Sequence, residues 1–378
     1  MKLIHVKYCL ALLSLLILFS KDNNAQNSIS FDYAPSQVFK HRESLLFDVP
    51  SYTQEFRLRY EFDNDPEEEW FQFWNRPRLA VNLFYMDFGD DILGDAIGIL
   101  PEIRFVLKQW KSISLNLQFG TGAAFAFSPF HPIDNPRNDA LGSHFNNTSS
   151  LKFGIESRWS DHWSNTLSVG LVHYSNGSSV TPNAGLNIYG VTIGFTYFKD
   201  KAIIPDQEIL STTRNNPLVI DDSFNRWNID LGYQHGFTQF STSGGPTFSV
   251  QDYYVSGGYS FKKFLTTFVG FEYEYNSKEF FTSRNNFYSE KDASKRAKQT
   301  ALYLEQELRY GMFFNRLRIG YYLDFPSSNV NEVYYKVTTG IYFPKVYGRF
   351  RPYVSTVLKA HSTTADYIAL SVGIKTEI

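Results

Sequence analysis

The sequence predicts an all-β protein, an antiparallel transmembrane β-barrel of about 16 strands. Aromatic residues make up 17% of the chain, with 35 Phe and 25 Tyr. Past residue 25 there is no run of about 18 apolar residues, which excludes spanning helices. Segments of alternating polarity recur from end to end, at the ~9–11 residues that a tilted strand needs to cross hydrocarbon. A secreted β-sandwich alternates too, but both of its outer faces meet water and need no such store of Tyr and Phe.

Residues 1–25 read as an export signal. Lys2 and Lys7 give a positive start, Leu10 to Phe19 form a short apolar core, and Ala25 before Gln26 offers a cleavage point. Cys9 precedes that core, so a processed chain would hold no cysteine and no disulfide. The 36 basic and 38 acidic residues nearly balance, which removes the electrostatic case for nucleic acid. The expected location is the bacterial outer membrane, crossed many times.

Strands are expected near 29–38, 53–62, 77–86, 98–108, 112–125, 148–158, 164–175 and 186–198. A polar linker at 200–225 follows, then strands near 226–238, 247–261, 264–277, 299–310, 313–324, 331–343, 349–358 and 366–378. Residues 26–199 thus form a first half and 226–378 complete or extend the barrel. Tight returns at Lys108–Lys111, Ser160–Trp163, Lys262–Lys263 and Gly311–Met312 fall on one side. The longer loops Asp87–Ile97, Phe127–Asn147, Asn176–Leu186 and Lys278–Lys298 fall on the other, the usual asymmetry of periplasmic turns and external loops. Asp63–Asn75 and the linker break that pattern. One barrel is favoured because a chain with one terminal strand signal completes one barrel. Two eight-stranded barrels are the alternative, since GFTYF at 194–198 would itself close a sheet.

Each strand has two chemical faces. In Ser149–Trp159, Leu151, Phe153, Ile155 and Trp159 oppose Lys152, Glu156 and Arg158. In the last strand Ile368, Leu370, Val372 and Ile374 oppose Ser371 and Lys375. A polar lumen and a lipid-facing exterior account for both.

One strand breaks its own rule. In LSVGLVHYSNG, residues 167–177, His173 and Ser175 fall on the same face as Leu167, Val169 and Leu171. On the next strand Asn187 shares the outer face with Tyr189, Val191, Ile193 and Phe195, so a hairpin brings it beside His173 and Ser175. Polar groups on a lipid-facing wall are costly and point to function. An imidazole two residues from a hydroxyl can take its proton and make it a nucleophile. Asn187 would orient the ring, and Asn176 and Gly177 are candidate oxyanion donors. A His-x-Ser tripeptide alone is weak, and polar residues at a strand end can simply be solvated. No spacing among His131, His144, Asp87, Asp90 and Asp91 specifies a metal site.

The run His173-Tyr174-Ser175-Asn176-Gly177, then PNAGLN at 182–187 and a strand ending GFTYF, resembles the lipid A 3-O-deacylases of the outer membrane. RPRLAVNLFYMDFG, NPRNDALGSHFN and SDHWSNTLSVGL extend the resemblance over roughly residues 50–199. It implies a barrel whose outer-wall His and Ser, here His173 and Ser175, remove the ester-linked acyl chain at position 3 of lipid A without a cofactor. The family's third residue is usually glutamate; Asn187 stands at the matching position. That asparagine, at its spacing from Ser175, resembles outer-membrane phospholipase A, which implies a calcium-dependent homodimer acting on phospholipid. A non-enzymatic, porin-like barrel is the third expectation. Lipid A or other outer-leaflet lipid is the expected partner, and Arg284, Lys291, Lys295, Arg296 and Lys298 are expected to meet its phosphates.

Overall fold

Side chains in the first half of the chain alternate as a barrel wall requires, and the strands they form close sooner than expected. A computed structural model describes residues 27–40, 45–62, 68–199, 224, 226–240, 242–324, 332–362 and 364–378. The expected signal, 1–25, and nearly all of the expected linker, 200–225, lie outside the described residues. The first eight strands are β1 (Ser28–Phe39), β2 (Thr53–Phe62), β3 (Arg78–Asp87), β4 (Asp95–Trp110), β5 (Ile113–Ala126), β6 (Phe145–Arg158), β7 (Trp163–Ser175) and β8 (Leu186–Phe198). The second eight are β9 (Trp227–Thr238), β10 (Phe248–Lys262), β11 (Leu265–Asn276), β12 (Lys298–Tyr310), β13 (Phe313–Tyr322), β14 (Val333–Tyr342), β15 (Phe350–His361) and β16 (Thr364–Glu377).

All neighbouring strands pair antiparallel, but they do not form the single barrel of about 16 strands. β8 returns to β1, from Asn187 opposite Phe39 to Phe198 opposite Ser28. β16 returns to β9, from Ile368 opposite Phe237 to Glu377 opposite Asn228. The chain therefore makes two closed barrels of eight strands each, the alternative arrangement.

Charge pairing across the lumen explains the early closure. In the second barrel Arg316 on β13 reaches Asp230 on β9 at 2.7 Å. Lys359 on β15 reaches Glu274 on β11 at 2.6 Å, and Lys336 on β14 reaches Asp252 on β10. Each pair joins strands four apart in a ring of eight, which is straight across. A ring of sixteen would be far wider and would leave these groups apart. The first lumen is filled in the same way. Arg104 on β4 meets Glu61 and Glu156, each at 3.1 Å, and Arg78 on β3 meets Glu156 at 2.8 Å. An eight-stranded interior is just wide enough for side chains to fill. Both lumens are packed with buried charge, which weighs against a porin-like pore.

With the charges inside, the large apolar residues stand outside. Leu151, Phe153, Ile155, Leu167, Val169, Ile193 and Phe195 are exposed on the first barrel, and Leu302, Leu304, Leu317, Ile319, Leu370 and Val372 on the second. Aromatic rings collect at the turn end: Trp159 lies 6.3 Å from Trp163, which lies 5.0 Å from Tyr197, and Trp227 lies 5.2 Å from Tyr259. An apolar band edged by aromatics is the surface a bilayer selects.

The barrels touch at both ends. At the turn end, the connection from β2 to β3 carries a short helix, α1 (Glu69–Phe73). Its Trp70 is buried and packs edge-on against Tyr310, its Phe73 lies 5.0 Å from Phe264, and Lys262 donates to Glu69 at 3.1 Å. At the loop end, the β7–β8 loop meets residues just past β9. Like ends therefore lie together.

Residues 1–199 expressed alone are expected to insert and give a heat-modifiable band in gel electrophoresis. A chain that needed all sixteen strands for closure would stay unfolded in that assay.

Candidate active site

The site begins with a rung of the β7–β8 ladder. His173 and Asn187 are direct partners across the two strands. His173 Nδ1 lies 2.8 Å from Asn187 Oδ1. An amide oxygen only accepts, so Nδ1 carries the proton and Nε2 is left with its lone pair exposed as a base. Gly185 lies close under the ring, where an added Cβ would come 3.1 Å from His173 Cε1. Its φ of +75° also belongs to the left-handed region, so glycine suits the position twice over.

Ser175, two residues on, shares the outward face with His173, and both are half-buried. Its hydroxyl makes no hydrogen bond to His173 among the described residues. It is held by Asn183, whose Nδ2 donates to Oγ at 2.9 Å, and by the Gly177 N–H, which donates at 3.2 Å. Resting sites commonly leave the hydrogen bond between nucleophile and base to form on substrate binding.

The two oxyanion candidates differ. The Asn176 side chain is buried, donating to Ser143 Oγ at 3.1 Å and to Val180 O at 2.8 Å. Its backbone N–H goes to Asn183 Oδ1 at 3.1 Å. Gly177, with φ of +61°, is the one whose N–H faces the Ser175 hydroxyl. Asn183 was missed in the sequence because nothing in its spacing marks it; the loop alone brings it back onto the strand end.

The polar patch extends sideways. Asn147 and Ser149 on β6 stand opposite Ser175 and His173. Ser149 donates to Asn147 Oδ1 at 2.9 Å, and Asn147 donates to Thr121 Oγ1 on β5 at 3.1 Å. These groups satisfy one another, which lowers the cost of a polar stripe on the outer wall. On the other side, beginning three residues from His173 at Gly170 and two from Asn187 at Tyr189, lies a shallow depression of about 420 Å³. Pro35, Gln37, Val169, Tyr189 and Val191 line it, and Tyr189 donates to Gln37 at 2.6 Å. Its length along the strand and its apolar floor suit a hydrocarbon chain hanging from an ester at Ser175.

Residues 54–196 match the family model Lipid A 3-O-deacylase (PagL). The match runs from β2 to β8 and includes His173, Ser175, Asn183 and Asn187. No curated protein matches the chain. Among solved structures the chain is similar to Neisserial surface protein A (NspA), at a TM-score of 0.32 and 10% identity, over 46% of this chain and 99% of that one. It is also similar to CdiB from Acinetobacter baumannii, at 0.20 and 10%, over 93% and 60%. The CymD monoaromatic hydrocarbon channel gives 0.19 and 8%, over 95% and 89%. From β2 to β8 the first barrel is therefore similar to the lipid A 3-O-deacylases.

The loop histidines serve structure. His131 faces Asp134 at 3.0 Å and His144 Nδ1 bonds Ala126 O at 2.8 Å. Among the described residues, the carboxylates grouped closely enough for a cation are Asp252, Glu272 and Glu274. They lie in the second lumen, where Lys336, Lys359 and Arg318 already neutralise them. Asp87, Asp90 and Asp91 do not join any such group.

Asn183→Ala is expected to lower the rate of ester hydrolysis roughly tenfold, since its hydrogen bonds to Ser175 and to the Asn176 N–H are lost and the nucleophile remains. Heat-modifiable mobility should be unchanged. Kinetics at saturating substrate would check it, and an unaltered rate would show that Asn183 has no part in holding Ser175.

Proposed function

We propose that the chain is an outer-membrane serine esterase that removes the acyl chain ester-linked at position 3 of lipid A. The observation that carries this reading is the His173–Asn187 pair on the lipid-facing wall with Ser175 on the same face. The family match over the same barrel supports it.

In this mechanism His173 Nε2 takes the Ser175 proton as Oγ attacks the ester carbonyl carbon. The Gly177 N–H meets the oxyanion of the tetrahedral intermediate. Collapse breaks the bond to the sugar oxygen, which leaves with the proton from Nε2. Water then attacks the acyl-serine, giving its proton to Nε2, and the fatty acid departs as Ser175 is restored. Asn187 keeps the imidazole in the right tautomer throughout. It brings no negative charge to the imidazolium, as the family's usual glutamate would.

The substrate would sit with its sugars at the headgroup level and its acyl chain along the Val169–Val191 depression. The basic loop also has a part in this reading. Two helices, α2 (Ser277–Asn285) and α3 (Glu290–Arg296), occupy it. Arg284 and Arg296 are engaged with Tyr288, leaving Lys291, Lys295 and Lys298 as the cations offered to lipid phosphates. No cofactor is required by this mechanism. The phospholipase reading rests on Asn187, and it differs in needing calcium.

Ser175→Ala and His173→Ala are each expected to cut acyl release by about 10³-fold or more while the barrels stay folded. Asn187→Ala should cost less, because it removes an orienter and spares the nucleophile. Asn187→Glu should keep or raise the rate. Mass spectrometry of lipid A and phosphatidylethanolamine incubated with the purified protein, with and without chelator, checks all four. Calcium-dependent release from phosphatidylethanolamine would overturn the deacylase reading in favour of the phospholipase.

A further inference from the structure

The loop that follows the nucleophile is held by the other barrel. The Thr181 N–H donates to Gln239 Oε1 at 2.8 Å. The Thr181 hydroxyl reaches the same oxygen at 3.2 Å and Phe240 O at 3.0 Å. Gln239 sits one residue beyond β9 and is itself tied down. Its amide nitrogen donates to Thr247 Oγ1 at 2.7 Å, and Lys278, at the start of α2, donates to its backbone oxygen at 3.4 Å. Beneath it Phe240 packs 5.0 Å from Phe248, which packs 5.3 Å from Phe281. The anchor is therefore itself held by hydrogen bonds and ring packing.

A second contact lies four residues back along the loop. A Cβ added to Gly177 would stand 3.1 Å from Ile368 Cβ on β16 and 3.1 Å from Leu358 Cδ1 on β15. The backbone that carries the Gly177 N–H therefore packs directly against the outer wall of the second barrel. Between residues 177 and 181 the loop is pinned twice, once by packing and once by hydrogen bonds.

We propose that the second barrel positions the hydrolytic site: Gln239 and the Leu358–Ile368 wall hold the β7–β8 loop so that the Gly177 N–H faces Ser175. The inference rests on the esterase reading above. An oxyanion donor is useful only when it is aimed before the charge develops. The Gly177 N–H belongs to a loop, and a loop free at its far side would spread that donor over several orientations. A misplacement of about 1 Å can cost ~10² in rate. The second barrel removes that freedom, which gives its strands a role in the hydrolytic site. Gln239 is a positioning residue in this account.

Gln239→Met keeps the volume and removes the acceptor, while Gln239→Glu keeps an acceptor toward Thr181. With heat-modifiable mobility as the check on folding, Gln239→Met is expected to lower kcat about tenfold at unchanged KM. Gln239→Glu should recover most of that loss. Amide hydrogen exchange should be faster across residues 176–185 in Gln239→Met and unchanged in β1–β8. Unchanged loop exchange in that variant would overturn the clamp. Faster exchange with an unaltered kcat would overturn its catalytic role. If the wild type releases no acyl chain, the esterase reading and this role fall together. Hydrolysis by wild type and Gln239→Met at equal kcat sinks this inference alone.

Discussion

The structure depends on charge pairing across narrow lumens. Arg316 with Asp230, Lys336 with Asp252 and Lys359 with Glu274 each tie together strands on opposite sides of a ring. Burying such charges is costly unless each finds a partner, and removing one member leaves the other stranded at a cost of about 3–5 kcal/mol. That constraint fixes the ring at eight strands. It also fixes which face of every strand points outward, because a slip of one residue would turn all the charges to lipid.

Once the faces are fixed, the outer wall becomes informative. A residue such as Leu171 or Val191 outside needs no account, whereas His173, Ser175 and Asn187 on the same face do. Asn147, Ser149 and Thr121 continue the polar stripe and bond one another, so the barrel maintains a small hydrogen-bonded surface on its outer wall. The depression by Tyr189 and Val191 places an apolar track next to it. Hydroxyl, imidazole and lipid-facing track together are what an enzyme acting on a membrane ester would need.

Much of this was legible in the sequence, because alternation with a period of two records face directly. The expected 186–198 is the observed β8, and the segments around Lys152 and Lys375 turn inward as their polarity requires. Closure was not legible. Nothing local in GFTYF says whether Phe198 meets Ser28 or a ninth strand, since that choice is made by ion pairs between residues far apart in sequence, such as Arg78 with Glu156, 78 residues away. The connection at 63–75 had no expected role, yet Trp70 and Phe73 within it join the barrels. Asn183 escaped notice for the same reason: a loop residue acquires meaning only when the chain folds back.

The central claim is that the Ser175 hydroxyl, activated by His173, is a nucleophile facing lipid. Treatment of the folded protein in detergent with a lipophilic fluorophosphonate, followed by peptide mass spectrometry, measures this directly. The expected result is a single covalent adduct on Ser175, formed in the wild type and lost in His173→Ala. An unlabelled Ser175, or equal labelling with and without His173, would contradict the account.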